Sequence, residues 1–180
     1  PPYEWEKESL KDQVGIVHGL AWTAVGGATL KIEVNVMPGK GRIQVTGSLG
    51  DVMKESSQAA ISYIRSQGRR YKIRADYFEK HDIHIHIPEG AVPKDGPSAG
   101  ITMTTAVLSA ITGKKVRGDL AMTGEVTIRG EVLPIGGLKE KLLAAKRLGI
   151  RTVLVPKSNE KDVKEFHEEI TQGLSIIYVR

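Results

Sequence analysis

A run of almost entirely small or apolar residues, from position 99 to about 111, is the feature that most constrains this chain. Gly96 and Pro97 mark a turn directly before the run, and proline is favoured where helices start, so we predict a helix that begins here. Ser98 would then lie in its first turn. Backbone N–H groups of a first turn have no intrahelical partner and carry the positive end of the helix dipole, which suits them to stabilise an oxyanion. One turn of chain could therefore supply a nucleophile and an oxyanion hole.

A serine hydroxyl is a poor nucleophile until a base takes its proton, and the best candidate base is Lys141. A Gly-Gly pair at 136–137 precedes a second predicted helix, and Gly149 follows it. At about 100° per residue, the apolar face of that helix contains Leu138, Leu142, Ala145 and Leu148. Lys141 falls within this face, so we predict that it is buried, unlike the neighbouring lysines Lys139 and Lys146. Burial and a first-turn position both disfavour the ammonium, so Lys141 could act as a base near neutral pH and form a serine-lysine dyad.

Three long motifs surround these residues: PEGAVPKDGPSAG at 88–100, MTGEVTIRG at 122–130 and LPIGGLKEK at 133–141. Together with GLAWT at 19–23 and GSLGDVMKES at 47–56, they resemble the proteolytic domain of the Lon protease family, specifically its bacterial ATP-dependent branch. The likeness covers nearly the whole chain. It implies an α+β fold of mixed sheets with packed helices, a homohexameric ring and an ATPase module on the same polypeptide.

The resemblance also implies a role for each residue of the site. By the family's pattern Ser98 is the nucleophile, Lys141 is the general base, and the Thr123 hydroxyl helps to orient the lysine. The remaining site loop, whose N–H groups would bind the oxyanion, contains Asp95, Gly96, Pro97 and Ala99. Asp95 could instead belong to a loop that covers the serine when the site is inactive. The implied activity is hydrolysis of unfolded or damaged proteins through an acyl-enzyme, dependent on ATP in the full-length protein.

Length and composition limit the domain organisation and the cofactors. The 180 residues fit one domain. We expect residues 1–12 to be a linker remnant from an upstream ATPase module and residues 13–180 to be a single proteolytic domain. The sequence has no GxxxxGK[ST] phosphate loop, so ATP and Mg²⁺ are expected only in the ATPase module, and no metal or cofactor is expected in this domain. The lack of cysteine excludes disulfides and cysteine-based zinc sites.

Charge and hydropathy indicate the compartment and the partners. No apolar run approaches the roughly 20 residues that span a bilayer, and the start of the chain lacks the features of a signal peptide, so we predict a soluble, cytoplasmic protein without a membrane partner. The net charge of +5, from 26 basic and 21 acidic residues, is compatible with an acidic partner. The basic residues are scattered among acids, with no basic block interleaved with aromatics, so DNA binding is compatible with the charge but not indicated.

Hydrophobic periodicity predicts the other elements. Segments 14–22 and 29–36, on either side of a Gly-Gly pair, indicate a hairpin. An amphipathic helix is predicted over 51–66, with Val52 on its apolar side and Ile61 outside it. Strict alternation over 82–87 predicts a strand with three isoleucines on its core face and three polar residues, Asp82, His84 and His86, on the other. The remaining predictions are strands over 42–46, 121–126, 128–133, 152–156 and 175–178, a polar helix over about 160–169, and at least one parallel pairing near the C-terminus.

Several other interpretations of the same residues stay open. Residues 96–100 satisfy GxSxG, the nucleophile elbow of α/β-hydrolases, but that motif needs a strand directly before the serine and a downstream acid and histidine. A Ser-His-Asp triad could use Asp95 with His84 or His86. The same histidines with Asp82 could imitate a metal site, although alternating polar residues are ordinary on an amphipathic strand.

Two further alternatives concern the serine and lysine themselves. In a non-enzymatic binding or assembly module, Ser98 would be a helix cap and Lys141 a snorkelling side chain at the edge of a core helix. Residues 158–161 also match the spacing SxxK, but they lie in a polar segment that we expect to be exposed, where nothing would desolvate the lysine.

Overall fold

The computed structural model of the chain describes residues 10–23, 26–88 and 94–180. Residues 1–9 of the expected linker and residues 89–93 of the first motif lie outside the described residues. Within the expected linker, the Asp12 carboxylate accepts a hydrogen bond of 2.8 Å from the Gly118 backbone N–H. Leu10 packs against buried apolar side chains of the core. The chain is therefore attached to the fold before residue 13.

A seven-stranded mixed sheet lies at the centre of the fold. In chain order the strands are β1 (Ile16–Thr23), β2 (Gly26–Pro38), β3 (Ile43–Thr46), β4 (His81–His86), β5 (Leu120–Met122), β6 (Glu125–Val126), β7 (Val132–Leu133), β8 (Thr152–Pro156) and β9 (Ser175–Val179). The order across the large sheet is β3-β4-β2-β1-β5-β8-β9, and β6 pairs with β7 alone. Strand β2 is antiparallel to β1 and β4, whereas the other neighbours in the large sheet are parallel. The predicted hairpin and the predicted C-terminal parallel pairing are both confirmed.

Helices pack against this sheet. They are α1 (Asp51–Ser66), α2 (Tyr77–Lys80), α3 (Gly100–Thr112), α4 (Leu138–Leu148), α5 (Glu160–Glu165) and α6 (Glu168–Thr171). Helix α3 contacts α1, β1 and β2, and α4 contacts β1 and β2. The predicted α+β fold of mixed sheets with packed helices is confirmed.

Two clusters of buried apolar side chains form the core. The first joins α1 and α3 to β2 and β4. The second joins α4 to β5 and β8. The alternation predicted for 82–87 is confirmed, since Ile83, Ile85 and Ile87 are all buried in the first cluster. Period-two strands thus direct one face into the core, as their sequence requires.

The apolar face of α1 differs from the prediction. Ile61 is buried, whereas Val52 is 43% exposed. The buried side also includes Ser56 and Ser57, which lie on the same face as Met53 and Ile61. The Ser57 hydroxyl donates to the Lys54 carbonyl of the same helix, so serines can lie on the buried face, which is rotated from the one that hydrophobicity alone selected.

Three other boundaries differ from the prediction. The strand expected over 128–133 is reduced to β7, because residues 127–130 form a turn closed by a hydrogen bond of 2.9 Å from the Gly130 N–H to the Thr127 carbonyl. The strand expected over 121–126 ends at Met122, because both backbone groups of Gly124 pair with the start of α3 instead of with a strand. The helix expected over about 160–169 is divided into α5 and α6, because Phe166 and His167 have extended backbone conformations.

Candidate active site

Ser98 lies in the turn before α3, not in its first helical turn as predicted. The helix begins at Gly100, and its first i to i+4 hydrogen bond runs from the Met103 N–H to the Ala99 carbonyl at 3.0 Å. The Ser98 carbonyl accepts a hydrogen bond of 2.8 Å from the Gly124 N–H. The turn that carries the serine is therefore anchored to the segment that follows β5.

The other residues of the Ser98 turn have distinct structural roles. Gly96 has φ 111°, in the region that favours glycine, and it turns the chain into Pro97. Ala99 is buried in the first core cluster and so attaches the turn to the core. Ser98 itself is half-buried. Its position combines a rigid backbone with an accessible side chain.

Lys141 is buried in the first turn of α4, with 3% of its surface exposed, which confirms the prediction of burial. Its Nζ donates a hydrogen bond of 3.3 Å to Thr123 Oγ1. Burial lowers the pKa of Lys141 from 10.5 to about 8, because an apolar environment disfavours the ammonium. Lys139, on the same helix, is exposed. One lysine of the helix is thus distinguished as a base that can lose its proton near neutral pH.

Thr123 and Gly124 connect the lysine to the serine. Thr123 follows the last residue of β5, is fully buried, and accepts the hydrogen bond from Lys141. Gly124 binds the Ser98 carbonyl through its N–H and the Ile101 N–H through its carbonyl, at 2.8 and 3.0 Å. Sequence reasoning assigned no role to Gly124. The signal that could have indicated one is a glycine inside an apparent strand, which often marks close backbone approach.

Ser98 and Lys141 line the same cavity, which has a volume of about 560 Å³. The other lining residues are Trp22, Pro97, Pro134, Ile135, Gly136 and Gly137. Trp22 is 60% exposed and borders the cavity instead of the core. Gly137 has φ 68°, and a Cβ there would lie 2.9 Å from the Trp22 side chain. The wall is mostly apolar side chains and glycine backbone, with the serine and lysine as its polar groups.

Asn159 holds one wall of this cavity, and sequence reasoning missed it. Its Oδ1 accepts from the Ile135 N–H at 2.9 Å, and its Nδ2 donates to the Ile135 carbonyl at 3.0 Å. The same Nδ2 donates to Asp162 Oδ2 at 2.8 Å. Asn159 is 2% exposed, so the expectation that segment 158–161 is exposed is wrong at this residue, although Lys161 is exposed. A buried amide in a polar segment has no signature in periodicity.

Asp95 binds the start of α1. Its Oδ1 accepts a hydrogen bond of 2.9 Å from the Met53 N–H. Hydrogen bonds from the backbone N–H groups of Met53, Gly96 and Val52 lower the pKa of the Asp95 carboxyl. A Cβ on Gly50 would overlap this carboxylate, so the glycine permits the contact. Asp95 therefore caps a helix that is distant in sequence and holds the Ser98 loop against it.

The polar face of β4 has structural partners. His84 Nε2 and His86 Nδ1 lie 2.8 and 2.6 Å from Thr46 Oγ1. Asp82 Oδ1 accepts from three consecutive backbone N–H groups, those of Lys40, Gly41 and Arg42. The Asp95 carboxylate is bound to α1, so nothing in these contacts orients a histidine toward Ser98 as a triad requires.

Residues 10–23, 26–88 and 94–180 contain no group of three or more His, Cys, Asp or Glu side chains that could hold a metal ion. Within the same ranges, no helix combines the length and the apolarity needed to cross a bilayer.

Comparison with known proteins agrees with the resemblance seen in the motifs. The family model of the Lon protease (S16) C-terminal proteolytic domain matches residues 1–180. The chain is 66% identical over 179 residues to the Lon protease of Lachnoclostridium phytofermentans, covering 99% of this chain and 22% of that protein. It is 58% identical over 175 residues to Lon protease 1 of Bacillus subtilis, covering 97% of this chain and 23% of that protein.

A third relative gives the same result. The Lon protease of Vibrio parahaemolyticus is 57% identical over 178 residues, which cover 99% of this chain and 23% of that protein. The chain thus spans between 22% and 23% of the length of these three curated relatives. Because the family model matches the whole chain and the identities are high throughout, the chain belongs to the family of Lon protease (S16) C-terminal proteolytic domains, which are serine peptidases.

Proposed function

We propose that this domain hydrolyses peptide bonds with Ser98 as the nucleophile and Lys141 as the general base. The observation that carries the proposal is the burial of Lys141 in the cavity that Ser98 also lines. Burial lowers the pKa of Lys141 to about 8, so a useful fraction is neutral near physiological pH. A base is most effective when its pKa lies near the working pH, since it must be free to accept a proton and then able to return it.

The proposed reaction proceeds through an acyl-enzyme. Neutral Lys141 takes the proton from Ser98 Oγ, and the oxygen attacks the scissile carbonyl carbon. Backbone N–H groups of the turn from Asp95 to Ala99 stabilise the resulting oxyanion. The Lys141 ammonium protonates the leaving amine as the C–N bond breaks, which leaves an ester on Ser98. Water then attacks this ester while Lys141 takes its proton, and that proton returns to Ser98 as the acid product leaves.

Thr123 is proposed to orient the lysine. A neutral amine has two N–H bonds and one lone pair. When Nζ donates one N–H to Thr123 Oγ1, rotation of the amine is restricted and its lone pair can be directed at the serine proton. The Gly124 N–H donates to the Ser98 carbonyl and fixes the serine, so adjacent residues of one segment set the distance between nucleophile and base.

The shape and chemistry of the cavity support an unfolded polypeptide as substrate. A cavity of about 560 Å³ with mostly apolar walls accepts a side chain and a short length of extended chain, not a folded protein. We propose that substrates are unfolded or damaged proteins and that folded ones require an ATPase module, with its ATP and Mg²⁺, elsewhere on a longer polypeptide. The proposed assembly is a homohexameric ring in the cytoplasm. The relatives named Lon protease are longer than the matched region, which supports the proposal of a further module; the ring and the compartment rest on the resemblance of the motifs alone.

The test is cleavage of an unstructured fluorogenic peptide by the parent and four variants. Ser98→Ala and Lys141→Ala should each lose activity, whereas Lys139→Ala, on the same helix but exposed, should retain it. A double His84→Ala/His86→Ala variant, checked for folding by circular dichroism, should retain activity if it folds. Retained cleavage by Lys141→Ala would refute the dyad.

A second measurement tests activation of the serine without a peptide substrate. A serine-directed fluorophosphonate should label Ser98 in the parent faster at pH 9 than at pH 7, because Lys141 loses its proton between these values. Labelling of Lys141→Ala should be slow at both pH values. Equal labelling of the parent and this variant would show that the lysine does not activate the serine.

A further inference from the structure

Two adjoining cavities are lined by cations, one at the C-terminal end of α3 and the other between the end of α1 and α2. The first, of about 360 Å³, has Arg70, Lys72, Lys114 and Lys115 in its wall. The second, of about 440 Å³, has Arg65, Arg69, Arg70 and Arg74. Arg70 lines both cavities, so they form one continuous surface. We refer to this surface as the basic groove and to these seven residues as its cations.

The basic groove holds the surplus positive charge of the chain. Its seven cations face a single acidic lining residue, Glu79. The whole chain has 26 basic and 21 acidic residues, so the remainder has 19 basic and 20 acidic residues. In sequence the cations are divided between residues 65–74 and 114–115, which is why the groove is invisible before the chain folds. A concentration of this kind attracts anionic partners.

The cations of the groove are largely available to a partner. Among the described residues, only Arg74 of the seven forms an ion pair, at 3.4 Å from Asp76. The guanidinium groups of Arg65 and Arg70 lie over the rings of Phe78 and Tyr71, at 5.5 and 5.7 Å from the ring centres. Stacking restrains the guanidinium planes and leaves their N–H groups free for a carboxylate. The negative end of the α3 dipole favours cations at Lys114 and Lys115, which follow the C-terminus of the helix, but it does not explain the other five cations.

The backbone of the groove places a lysine where glycine would fit better. Lys72 has φ 58°, in the left-handed region that residues with a side chain disfavour. The turn is held by hydrogen bonds from the Lys72 N–H to the Arg69 carbonyl and from the Ile73 N–H to the Gly68 carbonyl, at 3.2 and 2.8 Å. Local stability does not explain a residue with a side chain at this position.

The floor of the groove is apolar. Leu108 and Val116 line the first cavity, and Ile73 and Phe78 line the second. An occupant that matches the groove offers several carboxylates and at least one apolar side chain between them. We propose that the basic groove binds an acidic segment of another polypeptide, with Asp and Glu carboxylates on the arginines and lysines and an apolar side chain on the floor.

This site is separate from the candidate active site. Ser98 precedes the N-terminus of α3, and the groove lies at the other end of that helix of 13 residues. At 1.5 Å per residue the two ends are roughly 20 Å apart. Binding in the groove can therefore be measured on a Ser98→Ala protein, and the outcome does not depend on whether the serine is catalytic.

The test is fluorescence anisotropy of a labelled, unstructured peptide that contains Glu, Asp, Leu and Phe. Saturable binding is expected, and it should weaken roughly tenfold or more between about 50 and 300 mM salt, because exposed charges are screened. Arg70→Glu/Lys72→Glu should weaken binding at least about tenfold. Lys161→Glu/Lys164→Glu, which makes the same change of charge with exposed lysines of α5, should leave binding nearly unchanged at one salt concentration.

One further variant separates binding from folding. Lys72→Gly removes a cation and also relieves the left-handed backbone, so it should weaken peptide binding without lowering Tm. Three results would overturn the proposal: no saturable binding, equal weakening by the α5 control, or tighter binding of a single-stranded oligonucleotide of equal charge than of the peptide. The last result would identify the groove as a nucleic-acid site instead.

Discussion

Replacing Asn159 with alanine should weaken both the fold and the candidate active site. The substitution removes three hydrogen bonds, two to the Ile135 backbone and one to Asp162. At about 1 kcal/mol for each of the two neutral hydrogen bonds, and about 1 kcal/mol or less for the bond to the Asp162 carboxylate because water can replace it, the free energy of unfolding should fall by about 2–3 kcal/mol. For a domain of this size that loss corresponds to a decrease in Tm of about 4–12 °C.

The effect on activity follows from the position of Ile135 in the cavity wall. Without Asn159 the loop before α4 loses its anchor, and displacements of about 1 Å at an active site can cost 10²-fold in rate. We expect kcat/KM for a fluorogenic peptide to fall by about 10- to 100-fold, mostly through KM, because the wall contacts the substrate. The pH midpoint of the activity should stay unchanged, since Lys141 remains buried.

Asp162→Ala is the matched control, because it removes only the outer of the three hydrogen bonds. It should cost about 1 kcal/mol or less and leave kcat/KM nearly unchanged. Thermal melting measures the stability of both variants, and steady-state kinetics are measured well below the lower of the two Tm values. If Asn159→Ala loses the expected stability but keeps the parental kcat/KM, the cavity wall does not need Asn159 as its anchor.

Three other perturbations test separate contacts. Lys141→Met should stabilise the fold at pH 7 by about 1–3 kcal/mol. The pKa of Lys141 is lowered from 10.5 to about 8, so the unfolded parent binds more protons than the folded parent between these pH values. The gain in the free energy of unfolding should therefore shrink as pH rises. A gain independent of pH in denaturant titrations would contradict a buried ammonium. Gly27→Ala should lower Tm strongly, because its Cβ would overlap the Glu140 carbonyl. Gly136→Ala is the control, because a Cβ there meets no atom within 4 Å. Equal decreases in Tm would contradict the contact at Gly27. Asp95→Asn should lower Tm more at pH 7 than at pH 3. The lowered pKa of the Asp95 carboxyl gives stability that is present above the ordinary value of 3.8 and is lost as pH falls. A difference in Tm that does not change with pH would argue against the charged cap.

Much of the fold could be predicted because local periodicity encodes which face of an element is buried. The alternation in β4 and the hairpin of β1 and β2 are confirmed. The burial of Lys141 also followed from its angular position on α4. The limits of α3 were predicted less well, because the prediction rested on the favoured place of proline in helices, whereas Pro97 precedes the helix. Periodicity does not report where a backbone leaves its helix to bond with a distant strand.

The candidate site was likewise predictable in part. Sequence motifs selected Ser98, Lys141 and Thr123, and the structure places the serine and lysine on one cavity and the threonine against the lysine. The catalytic roles of these residues stay predictions. The role of Gly124 as the link between them could not be predicted, because its partners are backbone groups of the Ser98 turn and α3, remote in sequence, and carry no residue-type signal.

The fold class and the family could be recognised, and the candidate dyad predicted, from residue type and from spacing within single segments. The tertiary structure alone decided that Asp95 caps α1, that Asn159 anchors Ile135, and that cations from two distant segments form one groove. These features depend on pairs of residues that are 24 or more positions apart, as Asn159 and Ile135 are. Such pairs meet only when the strands and helices between them have packed, so their geometry is a property of the assembled core and not of any local pattern.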